Sequence, residues 1–131
     1  MVITRRDILR AIRVEKLKGT KFIHGRPNES GVYIPTGFDH ACKVCAVGAV
    51  LRRAGVPNYD INAVGFAITK AGVSAYDNEH DAIASQAWFS ALSVKFEKLY
   101  KSYGGGKTTK TKLASFVKKY FPKEVVIEVQ L

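Results

Sequence analysis

A chain of 131 residues, 47% hydrophobic and 24% charged with a formal net charge of +10, has the balance of an ordinary globular protein with its own core. No stretch approaches the roughly 20 apolar residues of a membrane span, the start MVITRRDILR lacks the apolar centre of a signal peptide, and two cysteines are too few for a secreted disulfide scaffold. The reading is one domain over residues 1–131, working in the reducing cytoplasm and away from membranes.

In chain order, Thr4-x-x-Asp7 has the form of a capping box ahead of Ile8, Leu9 and Ile12, and Gly19 ends the segment. This predicts a helix over 5–18, with Arg6, Arg10 and Arg13 within a narrow arc opposite Ile8 and Ile12. KFIHGRPNESGVYIP then reads as two short strands, near 20–24 and 32–35, around a turn holding Pro27, Asn28 and Gly31. Asp39 is the natural N-cap of a second helix running to Ala54, and Gly55 stops it. A third helix is expected from Asp60 to Ala71, ending at Gly72.

Asp77 is read as the cap of one long helix reaching Tyr103. Trp88, Leu92, Phe96, Leu99 and Tyr103 form its continuous apolar stripe. Gly104 to Gly106 break it. A last helix over 110–120 turns Leu113, Phe116, Val117 and Tyr120 inward, Pro122 stops it, and VVIEVQL supplies a terminal strand over 125–130. The fold class expected is α+β, mainly α: about five helices and a small sheet uniting the 20–35 hairpin with that strand. Residues 46–60 and 63–77, AVGAVLRRAGVPNYD and AVGFAITKAGVSAYD, echo one another as two helix–glycine–loop units.

The charge is unevenly spread. Residues 1–26 hold eight Lys/Arg against Asp7 and Glu15, residues 27–94 hold four against six acids, and residues 95–131 hold nine against three. Two basic ends around a near-neutral middle point to an anionic partner. GGGKTTKT, residues 104–111, has the closing residues of a phosphate-binding loop. The position five before Gly106 is Lys101 rather than glycine, however, and a helix precedes it rather than a strand, so nucleotide hydrolysis is excluded. What survives is a basic helix start: Lys107, Lys110 and Lys112 gather where the helix dipole favours an anion. Lys98 and Lys101 project from the polar face of the preceding helix, with Tyr100 at its flank as one ring for base stacking. Replacing Lys107, Lys110 and Lys112 by Glu is expected to abolish anion binding without unfolding the chain.

FDHACKVCAVGAV concentrates the reactive residue types. Cys42-x-x-Cys45 with two of His24, His40 and His80 has a zinc-compatible pair spacing but lacks a second tight pair. Cys42 with His40 or His80 and Asp81 offers a nucleophile and base without any surrounding catalytic signature. A thioredoxin-type redox pair would need a βαβ pattern that does not precede it, and the remaining reading makes both cysteines small buried thiols on a tightly packed helix, alongside Gly48 and Ala49. His80 itself lies in the acidic first turn Asn78-Glu79-His80-Asp81.

An early helix, a short β segment with Gly31, and Cys45, Gly48 and Ala49 as a Cys-x-x-Gly-Ala helix start form an order of features that resembles small, mostly uncharacterised phage and prophage accessory proteins. Phe116 to Pro122 followed by a strand is compatible with it. The resemblance implies a mobile-element origin and binding to host machinery, and it implies no catalytic residues. The expectation is a small basic non-enzymatic protein without a cofactor. Its Arg6, Arg10, Arg13, Lys98, Lys101, Lys107, Lys110 and Lys112 would bind nucleic acid, a nucleoprotein complex or an acidic protein surface.

Overall fold

A computed structural model describes residues 2–17, 25–27, 33–35, 46–56 and 78–126. Five helices lie in this part: α1 (Arg5–Val14), α2 (Ala46–Arg53), α3 (Glu79–Ala84), α4 (Trp88–Tyr103) and α5 (Lys107–Tyr120). The strands are β1 (Val2–Thr4), β2 (Gly25–Pro27), β3 (Tyr33–Pro35) and β4 (Glu124–Val126). The protein is mainly helical, as its sequence pattern requires. The expected small sheet is not formed by these residues. The strands make two separate antiparallel pairs, β1 with β4 and β2 with β3, so the C-terminal strand joins the N-terminal segment instead of the hairpin. The described part of the hairpin pairs 25–27 with 33–35, Pro27 standing opposite Tyr33, and the strand expected near 20–24 lies outside the described residues. The helix expected over 60–71, the second copy of the internal echo and the start of the 39–54 helix lie outside the described residues.

The core is built around α2, whose residues Ala46 to Leu51 are all buried. A helix apolar on every side belongs at the centre. Ile8, Ala11 and Ile12 of α1 and Phe89, Leu92, Phe96 and Leu99 of α4 join the same buried cluster, which α5 completes with Leu113, Phe116 and Val117. Two expected core positions are corrected. Tyr103 and Tyr120 are 52% and 37% exposed, because each sits in the last turn of its helix where the stripe rotates off the core.

The long helix expected over 77–103 is broken. Asn78, not Asp77, is the cap: its side chain accepts a 2.9 Å bond from the Asp81 N–H. α3 then closes after one and a half turns with Gln86 in the left-handed region at φ 62°. The Ala87 N–H donates to the Ala82 carbonyl and the Gln86 N–H to the Ile83 carbonyl, the paired bonds of a Schellman ending. α2 ends the same way, with Gly55 at φ 93° and bonds from Gly55 to Arg52 and from Val56 to Leu51. The glycine stop is legible in sequence; the glutamine stop is not.

β1 and β4 set the geometry that matters most. Val2, Ile3 and Thr4 lie opposite Val126, Val125 and Glu124, and the Arg5 N–H continues the ladder onto the Lys123 carbonyl at 3.0 Å. This pairing draws the two ends of the described chain together and lays α1 antiparallel against α5. Thr4 and Asp7 form the expected capping box, so α1 starts directly out of β1.

Candidate anion-binding groove

The antiparallel α1–α5 pair is fastened at both ends by the same device. The Arg5 guanidinium donates to the Lys118 and Phe121 carbonyls at 3.2 and 3.4 Å, covering the last turn of α5. The Lys110 ammonium donates to the Arg13 and Glu15 carbonyls at 3.3 and 2.7 Å, covering the last turn of α1. Each helix thus has the orphan carbonyls at its C-terminus met by a cation from its neighbour.

Between the two helices runs a groove of about 1160 Å³. One wall carries Arg6, Arg10, Arg13 and Lys16; the other carries Lys107, Lys110 and Lys118. Small Thr111 and Ala114 leave room between the walls, with Leu9 at the floor and Tyr100 and Gly105 at one end. Among the described residues, no Asp or Glu lines it. The two acids of the first seventeen residues are engaged elsewhere. Asp7 is spent on its capping box, and Glu15 turns to α2, where it pairs with Arg52 at 3.0 Å and Arg53 at 3.2 Å. Among the described residues, no carboxylate forms an ion pair with any of the seven groove cations.

Five of the eight cations expected as binding residues therefore meet in one place: Arg6, Arg10, Arg13, Lys107 and Lys110. Three do not. Lys98 forms a 2.9 Å ion pair with Glu79, Lys101 one of 3.3 Å with Glu97, and Lys112 lies over the Tyr103 ring at 5.3 Å, off the groove. Lys110 is also recast, since its ammonium holds α1 in place and a Glu there would disturb the fold. Sequence reading missed Lys16 and Lys118, although the signal was present. Lys16 prolongs the Arg6–Arg10–Arg13 arc by three residues. Positions 107, 111, 114 and 118 share one helix face, whereas 112 lies well around the circumference.

The break at Gln86 explains the loss of Lys98. In a continuous helix the 19 residues between Glu79 and Lys98 would span about 28 Å. The reversal folds α3 back on α4, and Glu79 reaches both Lys98 and, at 3.9 Å, Lys95. Burial pushes the Glu79 carboxyl upward, but the Lys98 hydrogen bond and the two lysine charges outweigh it and hold the group below its ordinary value.

The glycine run serves the turn between α4 and α5. Gly104 takes φ +79°, and Gly105 packs so closely on the end of α1 that a Cβ there would strike the Leu17 carbonyl oxygen. Gly106, the α5 N-cap, has open space around it. The buried Thr109 hydroxyl closes the turn on the Gly104 carbonyl.

Of the Cys/His candidates, Cys42, Cys45, His24 and His40 lie outside the described residues. His80 is exposed at the start of α3, edge-on to Tyr120 at 5.5 Å between ring centres. Among the described residues no three His, Cys, Asp or Glu side chains are grouped to hold a metal, and no helix is long and apolar enough to cross a membrane. No family of known proteins, no curated protein and no solved structure matches the chain.

Proposed function

We propose that this protein binds nucleic acid without catalysing a reaction, holding the phosphate backbone in the α1–α5 groove. One observation carries the reading: seven cations face one another across a single groove with no carboxylate among its described lining residues. Lys110 also ties α1 to α5; for the other six, like charges side by side repel, and the chain gains nothing for its own folding by arranging them so. A polyanion supplies the missing counter-charge and releases its condensed counterions as it binds. The contacts available are to phosphate, so binding is expected to show little sequence preference. The phage-accessory resemblance of the Cys45–Gly48–Ala49 region suggests a host nucleoprotein as the setting.

The test is fluorescence anisotropy with labelled DNA and RNA over a salt series. Affinity should fall steeply between 50 and 200 mM salt. The variant Arg10→Glu/Lys107→Glu/Lys118→Glu should lose it by at least about 100-fold with an unchanged circular dichroism spectrum, while Lys98→Gln/Lys101→Gln should stay within about threefold. If the triple variant binds as well as the parent, the groove is not the site. If poly-glutamate competes more strongly than either nucleic acid, the partner is an acidic protein instead.

A further inference from the structure

We infer that the ligand of this groove is a single nucleic-acid strand, threaded along α1 and α5 for about four or five nucleotides, with one base meeting Tyr100. The inference rests on the nucleic-acid reading above and narrows it.

The first argument is width. Two packed helices have axes 8–10 Å apart, each about 10–12 Å across. The pair is broader than the roughly 12 Å major groove that admits one helix. Arg5 and Lys110 tie the pair together at both ends, so neither helix is free to enter a duplex alone. A duplex would rest on the outer edges of the walls. A single strand lying between them meets α1 cations on one side and α5 cations on the other.

Length gives the second argument. Arg6 to Val14 covers eight residues of helical rise, about 12 Å, and Lys16 lies two residues further in extended backbone, so the wall is on the order of 15 Å long. At about 3.4 Å per phosphate along a stacked strand, this accommodates four or five charges, a number the seven cations can meet in full. Over the same distance a duplex would present about twice as many.

Third, Tyr100 lines the end of the groove while remaining only partly buried, its ring tilted on Phe96 at 5.7 Å. A duplex keeps its base faces inside the stack and has nothing to offer that ring. An unpaired strand does.

The experiment is anisotropy with labelled 12-nucleotide oligo-dT and oligo-U, a 12-base-pair duplex, and inorganic polyphosphate as competitor. Both single strands should bind at least about tenfold more tightly than the duplex, with log–log salt slopes near −3, the single-strand value for four to five phosphates. A preference between oligo-dT and oligo-U would say whether DNA or RNA is the natural source. Tyr100→Leu should lose on the order of tenfold for the strands and nothing for polyphosphate, while Tyr100→Phe should retain the parent affinity. A duplex that binds as tightly as the strands overturns the inference and leaves the groove a nucleic-acid site. So do strands no better than polyphosphate together with an inert Tyr100→Leu. Failure of strands and duplex alike at 50 mM salt overturns the broader reading as well.

Discussion

Two faces of this molecule are rich in basic side chains, and they differ in what has become of the charge. On the α3–α4 face, Lys95 and Lys98 converge on Glu79 and Lys101 meets Glu97 one helical turn away. On the α1–α5 face, seven cations line a groove, and the acids that sequence proximity would assign to them, Asp7 and Glu15, are committed to a capping box and to α2. The faces differ in count, three lysines against seven cations, but the sharper difference is in what stands beside each charge. Coulomb energy depends on the neighbour rather than the count: the first face is neutralised by its own carboxylates, whereas on the second no described carboxylate pairs with a cation. The first serves cohesion; the second is the face we propose for recognition.

That division can be broken by substitutions that strike one face and spare the other. The largest effect is expected from Gly105→Ala. Its Cβ would meet the backbone of Leu17, which cannot swing aside as a side chain can. The turn must move away from α1, costing about 2–3 kcal/mol of stability and opening the Tyr100 end of the groove. Gly106→Ala, set in open space, is the control and should unfold at nearly the parent denaturant concentration. Equal midpoints for the two variants would show that the turn does not set the groove.

Next in size is Lys98→Met. Glu79, whose side chain is 9% exposed, would keep only the longer approach of Lys95. A buried charged acceptor that loses a hydrogen bond costs more, but Lys98 is itself 58% exposed and water screens it; the loss should be about 1 kcal/mol in chemical denaturation. Because the folded Glu79 carboxyl lies below its ordinary value of 4.5, its contribution is present in full above that pH. It is lost as pH falls through the lowered folded value. The parent should therefore shed stability below about pH 4.5 more steeply than Glu79→Gln does. Nucleic-acid affinity at neutral pH should not follow either change.

Much of this arrangement was legible in the sequence, and what was not has physical causes. The capping box at Thr4, the stop at Gly55, the break at Gly104 and the stop at Pro122 are local signals and gave the right ends, whereas α1 stops at Val14 instead of 18 and α5 starts at Lys107 instead of 110. The arginine arc followed from helical spacing alone. The long helix over 77–103 failed because Gln86 occupies a left-handed position where glycine is the usual residue, and nothing in the pattern announces it. From that one error came the misassignment of Lys98, since a continuous helix keeps Glu79 far from it. The partner of the C-terminal strand was missed because β1 has only three residues, too few for an alternation to show. Gln86→Gly tests the first point: relief of the left-handed strain, partly offset by a freer unfolded chain, should stabilise the protein by about 0.5–1 kcal/mol.

The smallest effects carry the sharpest contrast. Lys101 stands four residues after Glu97, the favourable order for a helical ion pair. Lys101→Gln should cost about 0.3–0.5 kcal/mol. Arg10 stands four residues after Arg6 and three before Arg13, with Lys118 on the opposite wall, so Arg10→Gln removes repulsions and should stabilise by a similar few tenths of a kcal/mol. Lys, Arg and Gln have nearly equal helix propensities, so opposite signs on the two faces can come only from the charges around each residue. Both effects should shrink together in 1 M salt, where screening shortens to about 3 Å. A groove in which neutralisation raises stability while lowering nucleic-acid affinity is one whose charges are kept for a ligand at the fold's expense. Arg10→Gln that destabilises as Lys101→Gln does would mean that the groove cations already have partners, and the distinction between the two faces would collapse.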